Sequence, residues 1–220
     1  MAGELWATFD CYGTLVDWDG GIRAQLARLF GDARADELLA RYHQIEPQIQ
    51  QAEPALAYRE VMSRALARFA ADQSVDLPDA EADALGRSLP TWPVFPEVPA
   101  ALEAARSRGF QLCILSNSDP DLIAASIERI GVPFDDAITA SEIGSYKPAH
   151  GHWRAFAERH GRLPDVHVGA SLFHDVAPAG ELGLPSVWVN RLGEQRGSCS
   201  PTREIANLEP LPDALAELTS

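Results

Sequence analysis

Lysine is almost missing from this sequence of 220 residues. Of the 18 basic side chains, Lys147 is the single lysine and the others are arginines. Either Lys147 survives in a chain with a codon bias against lysine, or a chemical role retains it. Acidic residues outnumber the basic ones. The 32 acidic residues are spread along the chain and give it a formal net charge of −14. This charge argues against nucleic acids and anionic membranes as partners.

Cysteines and long apolar runs are scarce as well. Cys11, Cys113 and Cys199 are odd in number and lack metal-ligand spacing, which argues against a disulfide framework and favours a reducing, cytoplasmic location. No stretch is apolar enough to span a bilayer, and Met1–Leu5 has no signal-peptide character. The length fits one α/β domain with an insertion or two small domains, and a homodimer is the expectation from base rates alone.

Apolar runs alternate with segments of helical periodicity through most of the chain. Alternation of this kind predicts a parallel sheet with helices on both sides. The predicted strands are "LWATFD", "FQLCILSNS", "DDAITAS", "DVHVGAS" and "PSVWVNR".

Residues 20–87 interrupt this alternation. They contain three segments with apolar residues at helical spacing and few β-branched residues, which predicts a helical insertion that forms a cap. The proline-rich segment "LPTWPVFPEVPA" marks the return to the first domain, because proline breaks regular structure.

Chemically versatile side chains follow four of the predicted strands or their connections. Ligands of parallel sheets bind beyond the carboxyl ends of the strands, so these side chains are expected to meet. Each has an ordinary explanation when taken alone: a turn acid, a helix N-cap or a loop lysine. The residues are Asp10, Thr14, Ser116, Asn117, Lys147, Ser171, His174 and Asp175.

Four segments together resemble the ordered motifs of the haloacid dehalogenase-like hydrolases: "FDCYGTL", "ILSNSD", "SYKP" and "HVGASLFHDVAPAGELG". The resemblance implies a Rossmann-like core of residues 1–14 and 92–220 with a helical cap of residues 15–91. It also implies that Asp10 is a covalent nucleophile, that Thr14 and Ser116 support it, and that Lys147 is the catalytic cation.

Two positions depart from the pattern of the phosphatases in this family. Their first motif resembles D-x-D-x-T, in which the second aspartate protonates the leaving alcohol, but this chain has Tyr12 there. Their fourth motif resembles V-G-D-S-x-x-x-D, and Ala170 stands where its first aspartate would help to hold magnesium, whereas Asp175 is retained. We therefore expect neither a metal ion nor another cofactor.

Displacement of a halide from carbon needs neither group, because a halide leaves without protonation. The form D-x-Y-G-T of the first motif also resembles that of the 2-haloacid dehalogenases. This resemblance implies attack of Asp10 on C2 of a short 2-haloacid, followed by hydrolysis of the ester by a water that Asp175 positions or activates. An (S)-2-haloacid would then give an (R)-2-hydroxyacid. Whether fluoroacetate is a substrate stays open.

Substrate contacts are harder to place. By resemblance an arginine of the cap should bind the substrate carboxylate, with Arg41 the first candidate and Arg59 the second. The fourth motif of dehalogenases resembles S-S-N-x-x-D, of which this chain reproduces only the middle serine and the final aspartate, and His174 is the expected replacement. The predicted substrate and halide contacts are Tyr12, Arg41, Asn117, Ser171 and His174.

Two alternatives remain at this point. One is a phosphatase or another hydrolase of the same fold with a rearranged acid, which Tyr12 and Ala170 disfavour. The other is a catalytically silent binding protein, which retention of the nucleophile and the lysine disfavours.

Overall fold

The computed structural model describes residues 4–54, 56–73 and 75–219. Residues 1 and 220, which limit the predicted core, lie outside the described residues. So does most of Met1–Leu5, the stretch in which no signal peptide is expected. The strands are β1 (Leu5–Phe9), β2 (Phe110–Ser116), β3 (Asp136–Thr139), β4 (Val166–Gly169), β5 (Ser186–Val189) and β6 (Arg203–Ile205). The helices are α1 (Trp18–Phe30), α2 (Asp32–Ala52), α3 (Tyr58–Asp72), α4 (Ala84–Ser88), α5 (Val98–Ser107), α6 (Pro120–Ile130), α7 (Ala140–Ile143), α8 (Gly151–His160), α9 (Ala177–Glu181) and α10 (Leu211–Leu218).

The strands form one parallel sheet in the order β3-β2-β1-β4-β5-β6. The predicted α/β architecture, a Rossmann-like parallel sheet with an inserted helical cap, is confirmed. Strand β6 and helix α10 were not predicted. For β6 the reason is that a strand of three residues with one buried side chain carries almost no periodic signal.

Side chains of β1 alternate between the two faces of the sheet, as the period of two requires. Ala7 and Phe9 pack in the apolar layer that also contains residues of α5 and α10. Trp6 packs on the opposite face with Trp153 and Phe156 of α8. Helices therefore cover both faces, and the reactive side chains can only emerge at the ends of the strands.

The cap helices α1 to α4 share an apolar core that also includes Leu122 and Ile123 of α6. This common core fixes the cap over the carboxyl end of the sheet. Gly21 of α1 is required by this packing, because a Cβ atom there would overlap the indole of Trp92. Within the described part of the chain, no helix is long and apolar enough to cross a membrane.

Candidate active site

Asp10 lies directly after the central strand β1 and accepts hydrogen bonds on both carboxylate oxygens. Its backbone N–H donates to the carbonyl of Val168 at 2.9 Å, which extends the β1–β4 pairing to Asp10. The Thr14 hydroxyl donates to Asp10 Oδ2 at 2.7 Å, and Lys147 Nζ donates to Asp10 Oδ1 at 2.9 Å. Between Asp10 and Thr14 the chain turns back at Gly13, whose φ of 88° favours glycine.

Lys147 joins Asp10 to a second carboxylate. Its Nζ lies 2.7 Å from Asp175 Oδ1 as well as 2.9 Å from Asp10 Oδ1, and the residue is 2 % exposed. Burial alone would lower the pKa of Lys147, but the charges of Asp10 and Asp175 outweigh it and raise the pKa above its usual value. The ammonium group therefore stays charged where the two carboxylates converge.

Asp175 is fully buried and accepts hydrogen bonds from more than the lysine. The backbone N–H of Ser171 donates to Oδ2 at 3.1 Å, and His167 Nε2 lies 3.3 Å from Oδ1. Burial works to raise the pKa of Asp175, but Lys147 and His167 lower it well below its usual range. The pKa of Asp10 is instead raised, because burial and the like charge of Asp175 prevail over Lys147 and Thr14.

The loop that carries Lys147 is held to the end of β2 by Asn117. The side-chain amide of Asn117 donates to the Lys147 carbonyl at 2.9 Å, and its oxygen accepts from the Lys147 N–H at 2.6 Å. The Asn117 side chain lines the cavity, but its hydrogen bonds position the lysine. The buried, neutral His152 of α8 also contacts the end of β2, because its Nε2 lies 2.9 Å from the carbonyl of Ser116.

A cavity of about 610 Å³ opens between this cluster and the cap. The polar side chains predicted at the strand ends, except Thr14, line it, and Thr14 lies next to Asp10, to which its hydroxyl donates. The Thr14 hydroxyl accepts from the backbone N–H of Ala170 at 2.9 Å, which ties the first motif to the fourth.

Tyr12 lines the cavity but directs its hydroxyl elsewhere. The hydroxyl lies 3.0 Å from the Ser126 hydroxyl in α6, and the ring stacks with that of Tyr58. Burial raises the pKa of Tyr12 well above its usual value. The phenol is therefore no substitute for a carboxylic acid that donates a proton near neutral pH.

Ser171 and His174 form the turn that places Asp175. The backbone N–H of His174 donates to Ser171 Oγ at 3.0 Å, and the His174 ring nitrogen Nδ1 lies 3.1 Å from the same oxygen. Burial lowers the pKa of His174 to about 4, so this imidazole is neutral at pH 7. Both residues reach the cavity, as the sequence predicts.

The prediction that Arg41 binds substrate does not hold. Arg41 is exposed on the outer face of α2, where it pairs with Asp72 at 3.2 Å, and it lies outside the cavity lining. Arg59 also lies outside the lining and pairs with Asp121. The residues of α2 that line the cavity are His43, Glu46, Pro47 and Gln50, and His43 is two residues and about 200° of helical rotation from Arg41.

Arg191 was not predicted. It lies at the cavity, next to the turn that follows Asp10. Its Nη2 donates to the carbonyl of Thr14 at 2.8 Å, and its Nη1 pairs with Glu97 at 2.7 Å. The guanidinium lies 3.6 Å from the centre of the Phe95 ring. Arg191 therefore stabilises the turn that contains Thr14, and its only signal in the sequence is the position after strand "PSVWVN".

His167 was also missed. It occupies β4 between Val166 and Val168, on the face of the sheet opposite those valines, with Nδ1 2.9 Å from the Thr8 hydroxyl and Nε2 facing Asp175. The available signal was a histidine inside an otherwise apolar strand, where a polar group needs a partner.

Comparison with protein-family models shows a match to the haloacid dehalogenase-like hydrolases over residues 6–183. The chain belongs to this family. An (S)-2-haloacid dehalogenase, 4A, from Burkholderia cepacia is 26% identical over 96% of this chain and 91% of its own length. A phosphoserine phosphatase from Thermus thermophilus is 31% identical over 58% of this chain and 53% of its own.

Solved structures support the same fold. An L-2-haloacid dehalogenase from Xanthobacter autotrophicus, with chloropropionic acid covalently bound, superposes with a TM-score of 0.83 at 18% identity, covering 97% of this chain and 99% of that one.

Phosphatases of this family use magnesium, and the residues of this site do not suit such an ion. Among the described residues no group of three or more histidine, cysteine, aspartate or glutamate side chains is arranged to hold a metal. Asp10 and Asp175 share the ammonium group of Lys147 between them, and neither Tyr12 nor Ala170 adds a carboxylate. No chemical step is therefore derived through a metal ion.

Proposed function

We propose that this protein hydrolyses the carbon–halogen bond of short 2-haloacids through an ester on Asp10, without a metal ion. One observation carries the proposal. The buried nucleophile has a cation and a hydroxyl donor, yet the position two residues later holds Tyr12, whose hydroxyl is bound to Ser126.

The choice between phosphorus and carbon follows from the leaving group. An alcohol that leaves a phosphate ester needs a proton. The position two residues after Asp10 holds Tyr12 in place of an acid, and Asp175, which shares Lys147 with Asp10, has a lowered pKa and stays ionised. A halide leaves as a stable anion and needs no proton. A nucleophile held this way therefore suits displacement at carbon.

The first step is an in-line displacement at C2. A carboxylate oxygen of Asp10 forms a bond to C2 while the carbon–halogen electron pair leaves with the halide, so C2 is inverted. Lys147 and Thr14 each occupy one lone-pair direction on the carboxylate, which leaves lone pairs free for attack. The Ser116 hydroxyl lines the cavity and is a donor for the substrate carboxylate or the halide.

The second step hydrolyses the ester at the carboxyl carbon of Asp10. Water adds to that carbon, and the bond between it and the substrate oxygen breaks. The 2-hydroxyacid leaves with a proton from the water, and the remaining proton passes to solvent. Asp175 is suited to orient this water by hydrogen bonding, whereas its low pKa makes it a weak base.

Relatives support this assignment. The relative from Burkholderia cepacia is named an (S)-2-haloacid dehalogenase, and the superposed L-2-haloacid dehalogenase carries chloropropionic acid in covalent linkage.

Halide and phosphate release provide the test. The protein is incubated with chloroacetate, fluoroacetate, (S)-2-chloropropionate and p-nitrophenyl phosphate, each with EDTA or with magnesium. We expect halide release that EDTA does not inhibit. Magnesium-dependent phosphate release without halide would instead favour a phosphatase, and no release of either ion would favour a binding protein.

Isotope labelling distinguishes the ester from direct attack by water. In one turnover in ¹⁸O-water, the ester route puts unlabelled oxygen from Asp10 into the product, and later turnovers yield labelled product. Direct attack of water on C2 would label the first product. The variant Asp10→Asn should release no halide while its circular dichroism spectrum is unchanged.

A further inference from the structure

The cavity has a second polar wall, opposite the nucleophile, that the proposed chemistry does not use. It is formed by the cap and is called the cap wall below. Its members are Trp18, His43, Glu46, Gln50 and Tyr58.

Glu46 is the centre of the cap wall. The residue is 6 % exposed, and Gln50 Nε2 donates to its Oε1 at 2.9 Å. Burial raises the pKa of Glu46 to about 7, although contacts with Tyr58, His43 and Gln50 lower it in part. A buried carboxylate without a cationic partner is unfavourable, and a cationic ligand would offset that cost.

Aromatic rings stand beside this carboxylate. Trp18 Nε1 donates to the Tyr58 hydroxyl at 2.8 Å, which holds both rings in the wall of the cavity. Tyr58 in turn stacks with Tyr12 near the nucleophile. Aromatic rings next to a carboxylate are a combination that binds ammonium groups in proteins.

The positively charged side chains of the cavity already face carboxylates, although Arg191 Nε has no hydrogen-bond partner among the described residues. Lys147 bridges Asp10 and Asp175, and Arg191 pairs with Glu97. His43 Nε2 lies 2.9 Å from Asp19 Oδ1. The carboxylates in the lining outnumber these cations, and they are Asp10, Asp17, Asp19, Glu46, Asp175 and Glu194. A purely anionic haloacid would therefore enter a cavity of its own charge sign.

We propose that the preferred substrate is a 2-haloacid with a basic amino group on its chain, and that Glu46, Trp18 and Tyr58 bind this ammonium group. The inference rests on the proposed function, because it names the substrate class of the same cavity. It assigns Glu46 to specificity, while bond cleavage stays with Asp10.

Two substrates that differ only by the amino group test the proposal: 4-amino-2-chlorobutanoate and 2-chlorobutanoate. Chloride release gives kcat/KM for each with the wild type, Glu46→Gln and the control Glu37→Gln, which changes an exposed glutamate of the same helix. We expect the wild type and the control to prefer the amino compound about tenfold or more, and Glu46→Gln to lose this preference mainly through KM. Equal wild-type values for the two compounds, or an equal loss for both in Glu46→Gln, would overturn the proposal.

A second readout needs no variant. Added sodium sulfate should lower kcat/KM for the amino compound relative to the other, because salt screens attraction between charges. No relative change would contradict an ammonium contact with a carboxylate.

Failure of the proposed function can be separated from failure of this inference. If neither compound releases chloride, the proposed dehalogenation is excluded for 2-haloacids of this kind. Measurements of binding then still test whether the cavity prefers a ligand with an amino group. Calorimetric titration then compares 4-aminobutanoate with butanoate. Tighter binding of the amino compound, lost in Glu46→Gln but not in Glu37→Gln, would support the cap wall as an ammonium site. Equal affinities would overturn it.

Discussion

Replacing Lys147 by methionine tests whether one buried cation stabilises two carboxylates. The substitution keeps most of the side-chain volume and removes the charge at 2.9 Å from Asp10 and 2.7 Å from Asp175. Removing one partner from a buried ion pair destabilises a protein by about 3–5 kcal/mol, because the remaining charge is left without compensation. We expect a loss of this size in the free energy of unfolding at pH 8.

The loss should depend on pH with a definite sign. In the wild type Asp175 has a lowered pKa, so its contribution is present above its unfolded pKa of about 3.9 and disappears as the pH falls. Without Lys147, burial and mutual repulsion raise the pKa values of Asp10 and Asp175. The variant then gains stability relative to the wild type as the pH falls, by up to about 1.4 kcal/mol per pH unit for each proton taken up.

Urea unfolding at pH 5 and pH 8, followed by circular dichroism, measures both effects. The control Arg41→Met removes an exposed cation paired with Asp72, and such pairs contribute about 0–1 kcal/mol. A loss of less than about 1 kcal/mol in Lys147→Met at pH 8, or an equal loss at both pH values, would contradict the stabilisation of two carboxylates by Lys147.

Two further predictions concern the groups around Asp175. Asp175→Asn should give a burst of about one halide per chain and a protein mass increased by the carboxyalkyl group of the substrate, because ester hydrolysis slows more than ester formation. Unchanged steady-state turnover would contradict this. His167→Leu removes the group 3.3 Å from Asp175, so the pKa of Asp175 should rise by about one unit or less, which the pH profile of its carboxyl ¹³C resonance in NMR measures. The control His150→Leu, which changes a surface histidine paired with Glu181, should leave the profile unmoved, and a shift there would contradict the assignment.

The cluster around Asp10 could be predicted because parallel topology dictates it. Residues that follow β1, β2 and β4 must meet at one edge of the sheet, and the order of the motifs identified which residues those are. The sole lysine gave an independent sign of function, and the structure places it between Asp10 and Asp175.

The cap side of the cavity could not be predicted in the same way. Periodicity predicts a helix within residues 34–50, and the structure has α2 over Asp32–Ala52. A small error in the predicted rotation of this helix moves Arg41 to solvent and His43 into the cavity. The partners of buried polar groups are equally hidden in a sequence. Gln50 follows Glu46 by one helical turn and contacts it, but nothing in the sequence reveals that Tyr58 adjoins Glu46 or that His167 faces Asp175.

The rarity of lysine also gives the protein a built-in chemical reporter. Lys147 is the sole side-chain amine of the 220 residues, and it is buried beside Asp10. Reagents that acylate amines therefore have one side-chain target. Acylation needs access to the neutral amine, so burial and the raised pKa of Lys147 should keep the reaction slow, and a ligand bound in the cavity should slow it further.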